Sequence, residues 1–240
     1  MEEGLSNHLG RWLHTGLNVL WPHSCWMCGE SSRHEALCAA CDAELPRALG
    51  ALCRCCGLPV PGEGLCGRCL RRPPAFDATH APLVYAGAVR AMVLALKHGR
   101  GFALVDWFAQ ALLCSLPEPQ ADCVLPMPLH PARLASRGFN QAAELARRYA
   151  RGVGLPCRLQ DVVRRVDTPK LAGLRQQERK RAVRGSFVCR QDFSGQRIIV
   201  VDDVMTSGAT LAELAATLKA SGASAVTNLV VARTLRLPSR

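Results

Sequence analysis

The sequence predicts an α/β protein in which a mostly parallel sheet flanked by helices follows a small module of cysteine knuckles. Three observations predict it. From about Asp77 the chain alternates strand-like and helix-like segments, which implies parallel strands covered on both faces. Before that point come four Cys-x2-Cys pairs, repeating with a period of 28 residues. Between them lies Arg71-Arg72-Pro73-Pro74, where paired prolines stop regular structure and mark a linker. The expected organisation is an amphipathic helix over 1–22, a double four-cysteine module over 23–74, and a sheet domain over 77–240.

The N-terminal helix is read from Leu5, Leu9, Trp12, Leu13, Leu17 and Leu20, which recur at helical spacing and suit packing onto the rest of the chain. Met1-Glu2-Glu3 is acidic where an export signal would be basic, and no apolar run approaches the roughly 18 residues needed to cross a bilayer. A cytoplasmic setting without a membrane span is therefore expected. In that reducing environment thirteen cysteines point to metal rather than disulfides. Cys25, Cys28, Cys38 and Cys41 form one set and Cys53, Cys56, Cys66 and Cys69 the next, each able to complete a tetrahedral zinc site. All four positions of each site are sulfur, so the zinc is structural, and so small a segment folds largely on metal-binding energy. Gly29 and Gly57, each just after a knuckle, fit its turn. The GxGxxG run over Gly62–Gly67 lies between cysteine ligands, without the flanking strand and helix that a dinucleotide site needs.

In the sheet domain, Tyr85–Lys97, Phe102–Leu116 and Gln141–Arg151 read as helices, and Cys123–Met127, Ile198–Val201 and Val226–Val231 as strands. Leu211, Leu214, Ala215 and Leu218 form a helical stripe ending near Gly222. Parallel sheets bind ligands at the carboxyl ends of their strands, which directs attention to the loops after Met127 and Val201. After Val201 come Asp202 and Asp203 and then Thr206-Ser207-Gly208-Ala209-Thr210. Adjacent carboxylates can accept hydrogen bonds from vicinal sugar hydroxyls, and a hydroxyl-rich glycine turn at a helix start can hold a phosphate. The same residues could instead simply cap a turn or helix. A Walker B strand is ruled out because the chain has no G-x4-G-K-[ST] to hold a nucleotide's outer phosphates.

VVDDVMTSGAT, Val200–Thr210, resembles the signature by which type I phosphoribosyltransferases bind 5-phosphoribosyl-1-pyrophosphate, PRPP. Pro126-Met127-Pro128-Leu129-His130, Arg137-Gly138-Phe139-Asn140-Gln141, Leu96-Lys97 and the knuckles after Leu20-Trp21-Pro22 extend the resemblance to the ComF/GntX family over essentially the whole chain. The resemblance implies a type I phosphoribosyltransferase-like fold. It implies that Asp202 and Asp203 bind the ribose hydroxyls, that Thr206, Ser207, Gly208, Ala209 and Thr210 cradle the 5′-phosphate, and that Mg²⁺ bridges pyrophosphate and sugar. Arg133, Arg137 and Gly138 correspond in position to the pyrophosphate loop, and Lys170 belongs to a segment that closes over the leaving group. Asp202, Asp203 and Arg137 are the catalytic candidates. The reaction would displace pyrophosphate at the anomeric carbon, with no covalent nucleophile. His98 and His130 sit near these loops, although a lone histidine is more often structural.

The net charge of +11 is uneven: residues 1–80 hold 7 Lys+Arg against 8 Asp+Glu, and residues 81–240 hold 23 against 11. Arg164–Arg184 alone has eight basic residues and two acidic ones. Such a surface suits an anionic partner, polyphosphate or nucleic acid, though part of the excess is solvated surface. Gly173 and Pro169 disfavour one continuous helix there. Two functions follow. One is Mg²⁺-dependent phosphoribosyl transfer linked to DNA uptake or nucleotide salvage, with the acceptor unreadable. The other, implied by the family resemblance, is a competence factor that binds single-stranded DNA or DNA-uptake proteins and keeps the PRPP pocket as a sensor or vestige. A structural adaptor that recruits a partner through the zinc module is a weaker third reading, and a homodimer is a possible assembly.

Overall fold

A computed structural model describes residues 23–32, 36–99, 101–167 and 176–235. The expected helix over 1–22, and Lys170, lie outside the described residues. The chain divides into two compact units, Met1–Leu45 and Pro46–Arg240. The cysteine repeat straddles this division, so the second four-cysteine group belongs to the larger unit.

In the first unit, β1 (His23–Ser24) and β2 (Ser31–Ser32) pair antiparallel around the Cys25–Cys28 knuckle, and α1 (Ala39–Ala43) carries Cys41. The Cys25 amide donates to the Glu30 carbonyl at 2.7 Å, and Gly29, at φ 77°, returns its amide to the Cys25 carbonyl. The second knuckle repeats both bonds: Cys53 N–H to the Leu58 carbonyl, and Gly57 N–H, at φ 66°, to the Cys53 carbonyl. Glycine occupies both corners because the left-handed conformation costs it nothing. Here α2 (Gly67–Arg71) supplies Cys69.

The larger unit continues with β3 (Ala78–His80), β4 (Leu83–Val84), α3 (Gly87–Lys97), α4 (Leu104–Ser115), β5 (Cys123–Pro126), α5 (Pro131–Arg137) and α6 (Gln141–Val153). It closes with β6 (Val162–Arg164), α7 (Gln176–Val183), β7 (Phe187–Cys189), β8 (Arg197–Met205), α8 (Ala209–Ala220) and β9 (Ala225–Arg233). The main sheet runs β3–β9–β8–β5, parallel throughout, with β4 following β3 along β9. Ile198, Ile199, Val200 and Val201 are buried in succession, as a strand covered on both faces requires. One face packs Ile198, Val200, Val226 and Val230 against Leu211, Leu214, Ala215 and Leu218 of α8. Cys53, Cys56, Cys69 and Phe76 join that same cluster. The other face lies under α4 and α6, where the Tyr149 hydroxyl donates to the Leu116 carbonyl at 2.8 Å.

Three segments differ from the sequence reading. The β8 strand runs through Asp202 and Asp203 to Met205, because its pairing with β9 continues to Met205 opposite Arg233. The stretch after Met127 is a short helix, α5, started by Pro131 and capped by His130, whose Nδ1 accepts the Ala132 amide at 3.3 Å; Pro at the first turn suits a helix start. The basic segment is built on an antiparallel hairpin, β6 with β7, from which α7 packs against α8.

Gly222, after α8, tests the packing of that turn. It has φ 94°, and a Cβ there would stand 2.7 Å from Cα of Ser194, which is backbone that cannot swing aside. Gly154 is also left-handed, at φ 70°, with nothing within 4 Å of an added Cβ. Gly222→Ala is expected to lower the melting temperature clearly more than Gly154→Ala, whose cost is the left-handed strain of about 1–2 kcal/mol alone. Equal losses in thermal denaturation would show that the close approach to Ser194 is unimportant.

Candidate functional site

Parallel pairing puts Met127 beside the end of β8: its amide donates to the Val201 carbonyl at 2.8 Å. Asn140, the N-cap of α6, clamps the Met127 carbonyl through Nδ2 at 3.1 Å and accepts the Ala142 amide through its side-chain oxygen. The ends of β5 and β8 and the start of α8 thus meet around a cavity of about 240 Å³.

Asp202 and Asp203 point to opposite faces, as neighbours in a strand do. Asp202 lines the cavity, while Asp203 is 4% exposed and is not on its wall. Lys97 Nζ lies 3.0 Å from Asp203 Oδ2, and Gln141 Nε2 donates to the same oxygen at 2.9 Å. Gln141 Oε1 in turn accepts from Arg137 Nη1 at 2.7 Å. Arg137 therefore reaches the acidic pair through an amide rather than facing the cavity. Gly138 is the left-handed C-cap of α5, at φ 82°.

Thr206, Ser207, Gly208, Ala209 and Thr210 all line the cavity. Gly208 caps α8 with φ 78° and no side-chain hydrogen bond, and Ser207 Oγ accepts the Ala209 amide at 3.3 Å. The left-handed φ of Gly208 favours glycine at this turn, and a Cβ there would also press on the movable Met205 methyl at 2.5 Å. A helix start of this kind favours an anion through its dipole and its first amides.

Arg133 and Arg164 complete the wall. Arg133 Nε pairs with Asp167 at 2.7 Å. Arg164, on β6, is 7% exposed, with its guanidinium 5.6 Å from the centre of the Phe187 ring. Burial, and then the charge of Arg133, hold the Arg164 guanidinium below its usual pKa, a tension that an anion would relieve. Burial, and next the Asp203 carboxylate, push Asp202 up to about 7 against the pull of Lys97.

Of the residues expected at the site, the structure brings together Asp202, the 206–210 loop and Arg133, and sets Asp203 and Arg137 behind them. Lys97 and Gln141 entered the sequence reading only through family motifs, and Arg164 only as one charge among eight. Their convergence on Asp203 and the cavity is tertiary and left no local signal. Cys114, which belongs to neither cysteine set, is exposed at the end of α4.

The eight expected metal ligands gather into two sets of four, with all sulfurs of each set within 4.8 Å of one another. Cys28 and Cys38 sulfurs are 3.8 Å apart, and Cys56 and Cys66 sulfurs 3.7 Å. Zn–S bonds of about 2.3 Å give a tetrahedron with sulfur–sulfur edges of about 3.8 Å, so both sets fit zinc. Burial opposes ionisation of Cys25 and Cys53, yet backbone N–H groups prevail and lower both to about 6. Cys41, through the neighbouring thiols, and Cys69, through burial, are raised. One thiolate forms readily in each set, and a bound cation would offset the cost of ionising Cys41 and Cys69.

These features define a phosphoribosyltransferase-like fold that carries a double zinc ribbon. Residues 16–70 match the double zinc ribbon domain family, and residues 134–236 the phosphoribosyl transferase domain family. The chain is 32% identical over 226 residues to the DNA utilization protein YhgH of Salmonella typhi, covering 89% of this chain and 98% of that protein. It is 30% identical over 224 residues to YhgH of Escherichia coli K12, with the same coverage. Competence protein F of Haemophilus influenzae is 26% identical over 200 residues, or 78% of this chain and 86% of the relative. The chain belongs to the ComF family. Among the described residues no helix is long and apolar enough to cross a membrane.

The raised pKa of Asp202 sets a sign. Its protonated form is favoured in the folded protein, so its stabilising contribution is complete below the unfolded value of about 4 and is lost as pH rises through about 7. Asp202→Asn, which stays neutral, is expected to raise the melting temperature relative to the parent at pH 8, by roughly 2–4 °C for each kcal/mol relieved, and to lose that advantage at pH 5. A melting difference independent of pH would rule out a buried, raised carboxyl.

Proposed function

We propose that this protein binds PRPP with Mg²⁺ at the β8 cavity and transfers the phosphoribosyl group with release of pyrophosphate. The observation that carries the proposal is the convergence on one cavity of a carboxylate, a hydroxyl-rich glycine loop at a helix start, and two arginines. Asp202 accepts the ribose hydroxyls, and Asp203, braced by Lys97 and Gln141 behind the wall, completes the acidic pair and holds it in place. The 206–210 loop takes the 5′-phosphate. Arg133 and Arg164 face the pyrophosphate, since guanidinium groups match phosphate oxygens in pairs. Arg137 acts through Gln141, and Lys170 belongs to the segment proposed to close over the leaving group. A carboxylate together with substrate phosphate oxygens suits Mg²⁺, which when bound supplies charge neutralisation on the departing pyrophosphate. A cytoplasmic setting accords with this, because two four-thiolate sites need reducing conditions.

Calorimetric titration with PRPP tests the proposal. Saturable, Mg²⁺-dependent binding is expected, with a loss of at least about tenfold in the Asp202→Ala/Asp203→Ala double variant, the scale set by losing charge-assisted bonds of about 1.5–3 kcal/mol. Arg164→Met is expected to weaken PRPP more than ribose 5-phosphate. Pyrophosphate release over a panel of nucleobases then identifies an acceptor. A wild-type protein that does not bind PRPP would sink the assignment.

A second reading, single-stranded DNA binding, is favoured by the basic excess after residue 80 and by the names of the relatives, DNA utilization protein and Competence protein F. The same basic surface would suit DNA-uptake proteins of acidic character. Aromatic side chains are sparse in Arg164–Arg184, where Phe187 is the nearest, so DNA binding there would be mainly to the backbone and steeply salt-dependent. Charge reversal at Arg179, Lys180 and Arg181 is expected to reduce the slope of log affinity against log salt by about one for each phosphate that is no longer neutralised. An unchanged slope would remove that cluster from the interface.

A further inference from the structure

Arg233, the last residue of β9, is 1% exposed and is the largest fully buried side chain of the described residues. Its Nε donates to the carbonyl of Cys56, a ligand of the second cysteine set, at 2.9 Å. Its Nη1 donates to the Met205 carbonyl at 2.9 Å, to the Thr206 carbonyl, and to the Thr234 carbonyl at 3.0 Å. One guanidinium thus ties a metal knuckle to the first two residues leading into the phosphate loop. A guanidinium fits this place because it is planar, permanently charged and offers five donors in fixed directions.

Two further contacts join the same pieces. Cys55 Sγ donates to the Phe76 carbonyl at 3.6 Å, and the Phe76 ring lies 3.6 Å from the position of a Cβ on Gly208. The knuckle is also pinned to the sheet, since the Thr79 amide donates to the Arg54 carbonyl at 3.0 Å. With zinc bound, four thiolates leave the cluster with two net negative charges, which the buried Arg233 cation complements.

We propose that Arg233 is a positioning residue through which the metal centre of Cys53, Cys56, Cys66 and Cys69 holds the phosphate loop in its binding shape. Phosphosugar affinity then depends on metal at this second centre, while Cys25, Cys28, Cys38 and Cys41 belong to the other compact unit. Because linkage is reciprocal, a ligand in the loop tightens metal binding at the second centre. The affinity consequence rests on the PRPP reading above; the coupling of metal to loop does not.

The test uses the full zinc-loaded chain and reads backbone hydrogen exchange at residues 205–210 together with zinc content. Arg233→Gln is expected to keep two zinc ions per chain yet exchange about tenfold faster in this loop, within the usual range of a coupling between sites. Weakening the second centre with Cys66→Ser is expected to do the same, and Cys38→Ser in the first centre to leave the loop unchanged. In the wild type, PRPP with Mg²⁺ is expected to raise the chelator concentration that removes one of the two zinc ions at equilibrium, and Arg233→Gln to abolish that protection. Unchanged loop exchange in Arg233→Gln with both metals bound overturns the proposal. Should Arg233→Gln fail to fold, equal loop exchange in Cys66→Ser and Cys38→Ser overturns it instead. If the wild type fails to bind PRPP but the exchange pattern holds, the ligand assignment falls and the coupling stands.

Discussion

Asp202 and Asp203 are neighbours near the end of a strand whose preceding residues are in the core, one half-buried and the other buried, and two such carboxylates resist carrying charge together. Much of the surrounding structure answers that constraint. The pleat sends them to opposite faces, and Lys97 and Gln141 converge on a single oxygen of Asp203. Asp202 is left on the cavity side with its proton affinity raised, where hydroxyl groups or a cation could offset the charge. Gln141 matters because it is neutral: it links Arg137 to Asp203 without forming a second ion pair on the same carboxylate.

The parallel sheet makes this convergence possible. Lys97 ends α3, Gln141 begins α6 and Asp203 lies near the end of β8, so three element termini meet at the carboxyl end of the sheet. Helix starts and strand ends accumulate there, and with them the amides and carboxylates that anions and sugars require. Hydrophobic register fixes the arrangement. A slip of one residue in β8 would turn Ile198 and Val200 out of their cluster and exchange the faces of the two acids.

The sequence revealed what is local. The β8 run, the glycine turn and the eight cysteine ligands are short contiguous or strictly spaced patterns, and they appear where expected except that β8 continues to Met205. The metal sets were legible because a knuckle is almost complete within six residues, down to the glycine that closes it. What escaped depends on partners remote in the chain. The β6 strand is only Val162–Arg164, too short for periodicity, and without the β6–β7 hairpin Arg164 reads as one more surface charge. Likewise Arg137 sits in a motif that suggests direct contact with a ligand, whereas the cap geometry of Gly138 and Asn140 turns the chain so that Gln141 intervenes. Arg233 gave no signal, since a basic residue ending a hydrophobic strand looks like a solvated terminus until the carbonyls around it are known.

The 28-residue repeat has a consequence for how these sequences change over time. Its two copies share knuckle geometry but fall in different compact units, and the second contributes Cys53, Cys56 and Cys69 to the interior of the sheet unit. Beyond the knuckle geometry common to both copies, substitutions in the second must also suit a strand, a phenylalanine and a buried arginine. Two segments that begin as duplicates would therefore diverge at different rates, the second slowly and the first more freely.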